Sequence, residues 1–291
     1  MMTTPREDAF TFEVAGAPLV GILHDPGLAS ERAVVVVVGG PQYRVGAHRQ
    51  YVMLARDLAE AGTPVLRFDY RGMGDSGGDF GGFEDCGADI AAAIDALTAR
   101  LPMVREVVLW GLCDGATAIA FYQARNRDPR VAGAVLLNPW ARSARTLAET
   151  QVRHWYGRRL TSGAFWKKLL TGGVDLPAAA GGLLGTLAAR FRSGSGAGSA
   201  CGAEAPLPDR LAAALTDMAV PVCLMLSGRD LTAREFEEAV LARGPLKRAQ
   251  AAGHIRVRRL AEANHTYSRP DWRAQVHAWT TEWVQSLGRM G

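Results

Sequence analysis

The run Ala33-Val34-Val35-Val36-Val37-Val38 is apolar at every position and β-branched at five of them, and Gly39-Gly40-Pro41 follows at once. Such a strand has no face suited to water, so it belongs in the middle of a sheet covered by helices on both sides. Upstream, Phe10–Val14 and Leu19–Leu23 read as two short strands joined at Ala15-Gly16-Ala17-Pro18, a plausible hairpin. Downstream the period alternates. Helical spacing over Tyr51–Ala61, Glu84–Arg100, Asp114–Asn126, Thr232–Arg243 and Pro270–Leu287 is interleaved with strand-like runs at Pro64–Phe68, Glu106–Trp110, Val131–Leu137, Pro221–Leu226 and Ile255–Leu260. Strand and helix in alternation predict an α/β fold built on a mostly parallel, doubly wound sheet.

The rhythm breaks after Trp140. The interval 141–217 carries Trp155, Tyr156, Phe165 and Trp166, then the apolar stretch Leu183–Leu187, then the linker-like Ser193-Gly194-Ser195-Gly196-Ala197-Gly198-Ser199. The expected organisation is therefore one core in two parts, residues 1–140 and 218–291. A mostly helical cap is inserted over 141–217, with a flexible segment at 193–199.

Composition narrows the function classes. The 33 glycines, about 11% of the chain against a usual ~7%, lack a triplet repeat, so they do not indicate collagen. A net charge of +4 from 33 basic and 29 acidic groups gives no nucleic-acid footprint. The locally basic run His254–Arg259 alternates and reads as a strand with one solvated face. The cysteines at 86, 113, 201 and 223 form no CxxC pair, so neither a zinc ribbon nor a disulfide scaffold is expected. The polar N-terminus and the lack of a long apolar run predict no signal peptide and no transmembrane segment, hence a cytoplasmic protein. No cofactor or metal is expected.

The chemistry centres on Trp110-Gly111-Leu112-Cys113-Asp114-Gly115, which ends a predicted strand and opens a predicted helix. This is the G-x-S-x-G nucleophile elbow with cysteine in the serine position. Gly111 and Gly115 would remove side chains that collide where a strand turns sharply into a helix. Cys113 would then stand above the sheet edge near a helix N-terminus, which favours a thiolate, while the neighbouring Asp114 would act against it. The plain structural alternative is a small buried cysteine.

Two partners argue against that alternative. Asp230 follows the strand ending at Leu226, and His265 follows the strand ending at Leu260. Nucleophile, acid and histidine thus occur in the chain order of an elbow-type triad, at the carboxyl ends of parallel strands. His265 would exchange the proton and Asp230 would fix its tautomer. Asp209, Asp217 and Glu262 are weaker rivals for the acid. His24, His154, His254 and His277 read as structural or solvated, and His48 stays open. Oxyanion donors would be the Asp114 N–H and that of Gly40 or Gln42, since Pro41 has none. In Asp69-Tyr70-Arg71-Gly72-Met73-Gly74-Asp75-Ser76 the expectation is an Asp69–Arg71 pair holding a tight loop.

Taken in order, Gly39-Gly40-Pro41, Asp69-x-Arg71-Gly72-x-Gly74-x-Ser76, Gly111-x-Cys113-x-Gly115, Asp230 and His265 resemble the α/β-hydrolase superfamily over nearly the whole chain except the cap. A narrower likeness lies in Gly40–Gly46, Phe68–Ser76, Gly111–Asp114, Leu137–Trp140 and Phe165–Leu170. These segments resemble the type 1 exosortase A system-associated hydrolases, a family tied to bacterial exopolysaccharide and protein-sorting clusters. The cysteine in the nucleophile's place is similar to that of dienelactone hydrolase. These resemblances imply an α/β-hydrolase fold and acyl chemistry.

The expected function is hydrolysis of a carboxylic ester or thioester through Cys113, His265 and Asp230, with an acyl-thioester intermediate. An acyltransferase using the same intermediate, and a non-catalytic binding module retaining the fold, are the alternatives. The expected partner is a small or lipid-like acyl substrate with an apolar part, and the oligomeric state stays open.

Overall fold

The computed structural model describes residues 5–40, 42–142 and 205–287. The strands are β1 (Arg6–Val14), β2 (Ala17–Asp25), β3 (Arg32–Val37), β4 (Val65–Phe68), β5 (Glu106–Leu112), β6 (Val131–Leu137), β7 (Val222–Ser227) and β8 (Ile255–Leu260). They form one sheet in the order β1-β2-β4-β3-β5-β6-β7-β8. The opening hairpin and the β2–β4 pairing are antiparallel; from β4 onward every pairing is parallel. The helices are α1 (Gln50–Glu60), α2 (Gly87–Arg100), α3 (Asp114–Asn126), α4 (Leu207–Asp217), α5 (Leu231–Phe236), α6 (Gly244–Ala251) and α7 (Pro270–Ser286). This is the α/β-hydrolase fold.

The valine run explains the centre. Val34 to Val37 are completely buried, with β4 on one side and β5 on the other. At about 1.5–3 kcal/mol per fully buried aliphatic side chain, this strand alone anchors the sheet. Trp110 of β5 packs edge-on against Tyr51 of α1 (ring centroids 5.6 Å apart), and its indole N–H donates to Thr280 of α7 (3.3 Å). On α7, Val276 and Trp283 are buried. Trp272 and Trp279 of the same stripe are half-buried and lie beneath the guanidinium groups of Arg269 and Arg258. The edge strand β8 buries Ile255 and exposes Arg256 and Arg259, the solvated strand that the sequence predicts.

Two elements differ from the sequence expectation. The helix expected over Thr232–Arg243 is α5 continued through a widened turn at Glu237–Leu241. A separate helix, α6, follows, with Pro245 in its first turn. A proline there loses no intrahelical bond and carries the right φ, so Gly244-Pro245 starts a helix instead of a loop.

The chain divides into two compact units, Met1–Ala141 with Asp209–Gly291, and Arg142–Pro208. Most of the expected cap, including the Gly/Ser run 193–199, lies outside the described residues. The boundary expected at 217 moves, because from Asp209 onward α4 belongs with the first unit. Among the described residues, no helix is long and apolar enough to cross a membrane.

Candidate active site

The chain runs from β3 to β4 on one side of the sheet, then crosses to β5 on the other. The loops after β3 and β5 therefore leave the sheet in opposite directions at its carboxyl edge, the usual ligand position in such folds. Gly40 follows β3 and Cys113 follows β5.

Cys113 has φ 61° and ψ −127°, a strained conformation for a residue with a side chain. Its N–H donates to Leu137 O (2.9 Å) and its carbonyl accepts from Trp140 N–H (3.1 Å), so the end of β6 grips the elbow from both sides. The Thr117 hydroxyl donates to Trp140 O (2.8 Å) and ties α3 into the same grip. The glycines behave as the elbow requires. A Cβ on Gly111 would stand 2.8 Å from the Gly115 backbone, and one on Gly115 would stand 2.5 Å from Val37 O. The result is a half-buried free thiol at the N-terminus of α3.

Asp230 and His265 meet. His265 Nδ1 lies 2.8 Å from Asp230 Oδ2. The approach depends on Gly228, where a Cβ would stand 2.2 Å from Ala261 O, so the loops after β7 and β8 come together only without a side chain there. Asp230 is buried and is also the N-cap of α5, accepting from Thr232 N–H (3.1 Å) and Ala233 N–H (3.2 Å). Burial alone would push the His265 imidazole down. The hydrogen bonds and charges of Asp230 and Cys113 outweigh it and raise His265 to about 10. Cys113 is thus among the groups that raise the imidazole, whose Nδ1 is held by Asp230.

The remaining predicted residues divide. Gly40 adopts φ 68° at the mouth of the elbow, but its N–H is already engaged by the carboxylate of Asp114. The Gln42 side chain turns back on its own loop, accepting from Ala47 N–H (3.0 Å). The rival acids are elsewhere: Asp209 pairs with Arg243 (2.5 Å), Glu262 with Arg229, and Asp217 is exposed. His24 is buried and accepts from Arg67 Nε (2.9 Å), His277 binds Asp57 (2.5 Å), His254 meets Met218 O (2.9 Å), and His48 is exposed. His154 lies outside the described residues.

The expected Asp69–Arg71 pair does not form. Asp69, completely buried, binds Arg44 and accepts from Asp75 N–H (3.1 Å), while Arg71 bonds to Asp89 of α2 (2.6 Å). Both true partners are brought in by the fold from at least 18 residues away along the chain.

Asn138 is a positioning residue that spacing did not single out. It follows β6 at φ 42° and is fully buried. Its amide donates to Ser227 Oγ (2.9 Å) and His265 O (3.0 Å), and its Oδ1 accepts from Ser227 N–H (2.9 Å). One side chain thus links the carboxyl ends of β6 and β7 to the backbone of His265. The available signals were a polar residue ending an apolar strand and its place in the Leu137–Trp140 segment of the narrower resemblance.

Among solved structures the chain is similar to an esterase from Pyrococcus furiosus, with 15% identity, coverage of 97% of this chain and 90% of that one, and a TM-score of 0.61. It is also similar to the dienelactone hydrolase of Anabaena variabilis, with 16% identity, 97% and 98% coverage, and a TM-score of 0.61. Est1E from Butyrivibrio proteoclasticus, solved with ferulic acid bound, gives 16% identity, 96% and 99% coverage, and a TM-score of 0.60. At such identities these likenesses establish the fold. No curated protein matches the chain. The family described as Serine aminopeptidase, S33 matches residues 29–178, a span that holds the β3 loop and the whole elbow. On that match the chain belongs to the serine aminopeptidase S33 family of α/β-hydrolases, and it carries Cys113 at the elbow within the matched span.

Proposed function

We propose that this hydrolase cleaves a carboxylic ester or thioester by way of a thioester on Cys113. The observation that carries the reading is the alignment of a strained, half-buried Cys113, an imidazole raised by it, and Asp230 at 2.8 Å behind that imidazole. The Cys113 thiolate attacks the carbonyl carbon. A C–S bond forms and the carbonyl electron pair moves onto oxygen. Collapse of this intermediate breaks the bond to the leaving alcohol or thiol, which takes a proton from the His265 imidazolium. Neutral His265 then draws a proton from water, the hydroxide attacks the thioester, and the acid leaves as Cys113 is restored. Asp230 keeps the ring in the tautomer that presents its free nitrogen to sulfur.

The raised imidazole keeps its proton through neutral pH and is suited to protonate the leaving group. A free thiol of this kind is suited to a reducing cytoplasm. The unit Arg142–Pro208 is read as the inserted cap, and the segments resembling exosortase A system-associated hydrolases support a role beside exopolysaccharide or protein-sorting functions. The test is turnover of a panel of p-nitrophenyl esters and acyl-CoA thioesters by the wild type and Cys113→Ala. At least one substrate should turn over, and the variant should lose about a hundredfold or more in kcat. Equal turnover by the two proteins would refute the reading. Transfer of the acyl group to an added alcohol with little hydrolysis would make the same site an acyltransferase.

A further inference from the structure

Asp114 lies directly after the elbow cysteine and opens α3, so its backbone N–H is one expected oxyanion donor. Its side chain takes the other. The carboxylate crosses the elbow and accepts the N–H of Gly40. The amides of Gly115 and of Asp114 itself also favour its charged form. The close fit is permitted by Gly39, where a Cβ would stand 2.7 Å from Asp114 Oδ1 and 2.0 Å from Leu112 O. The carboxylate is therefore seated among the same backbone amides that the developing oxyanion of an acyl-transfer reaction would need.

The surroundings keep it there. The His265 imidazole favours its charge, whereas burial raises the Asp114 carboxyl above the usual range. Tyr51 of α1, Tyr70 after β4, Cys86 before α2 and Cys113 face the same region. Tyr70 is raised well above the ordinary phenol value, chiefly by burial, and Cys86 is pushed up to about 12, again chiefly by burial. None of these groups supplies a positive charge to draw the carboxylate off the amides. His265, on the side of the thiol, is the basic group whose charge acts on it.

We propose that the Asp114 carboxylate is a built-in anion that fills the oxyanion site at rest, so that a substrate carbonyl must displace it before Cys113 can be acylated. Asp114 is thereby a specificity-determining residue: it selects acyl groups whose other contacts are strong enough to offset the displacement. This rests on the reading of Cys113 as the acylated nucleophile. A single oxyanion donor is worth about a hundredfold to a thousandfold in rate, so its occupation should be a large effect.

The test compares two reactions of Cys113 in the wild type, Asp114→Asn and Asp114→Ala. Alkylation by iodoacetamide forms an S–C bond and expels iodide without an oxyanion. Acylation by p-nitrophenyl acetate forms an S–C bond through an oxyanion and expels p-nitrophenolate. The ratio of acylation to alkylation rates removes any change in thiolate reactivity. It should rise tenfold or more in Asp114→Ala and by less in Asp114→Asn, whose amide oxygen can still accept from Gly40. If Asp114→Ala does not fold by circular dichroism, Asp114→Ser is read in its place. An unchanged or lower ratio, with the wild type still acylated, overturns the proposal and leaves Cys113 as nucleophile. Alkylation with no acylation in any of the proteins overturns both.

Discussion

Asp230 does two jobs with one carboxylate, capping α5 and holding His265, and the two can be separated by substitution. Asparagine caps a helix as well as aspartate does, whereas alanine forfeits about 1 kcal/mol. Asp230→Asn should therefore keep the melting temperature close to the wild type and lose about a hundredfold or more in kcat/KM. Asp230→Ala should lose both. The same pair governs pH. Because His265 is raised to about 10 from an unfolded value near 6.5, its contribution to stability is complete below about pH 6.5 and is lost as pH rises to about 10. Activity that needs the imidazolium should persist through neutral pH and fall as pH passes about 10. In Asp230→Asn the fall should begin at lower pH. A kcat/KM profile with the same alkaline limb in both proteins would contradict the assignment.

Among the elements, the site is made by pairs of strand ends, each pair closed by a specific contact. Gly228 closes the loops after β7 and β8, and Asn138 bolts the ends of β6 and β7 to His265. A methyl group at 228 would collide with Ala261 O at 2.2 Å, and the backbone on both sides must move to relieve it. Gly228→Ala should cost about 1–3 kcal/mol in urea unfolding and lower kcat more than KM, because the His265–Asp230 distance is what shifts. The elements themselves were largely legible. The valine run, the G-x-C-x-G turn and the alternating periods predict the sheet and its helices from local pattern alone. The misses are those that local pattern does not encode. Helix α6 hid behind Gly244-Pro245, and the partners of Asp69 and Arg71 are Arg44 and Asp89, chosen by how the loop docks rather than by sequence proximity.

For the whole molecule, chain order places Cys113, Asp230 and His265 after three different strands of one sheet. Nucleophile, acid and histidine each follow a different strand, so a parallel sheet brings them to one edge whatever lies between them. Cys113, Asp230 and His265 could therefore be picked out together from the sequence, across the interval 141–217. The Asp114 carboxylate on Gly40 is not encoded in chain order: it is a contact spanning 74 residues, made because β3 and β5 are neighbours in the sheet. The fold thus sets an acidic side chain on the Gly40 amide beside the elbow.

An acyl group carried on Cys113 can be detected directly. The direct measurement is peptide mass spectrometry of protein quenched in acid during turnover of p-nitrophenyl acetate or an acyl-CoA. One acyl group is expected on the peptide containing Cys113, removed by hydroxylamine as a thioester should be and absent from Cys113→Ala. Steady turnover with Cys113 unmodified, or an acyl group that forms equally in Cys113→Ala, would contradict it.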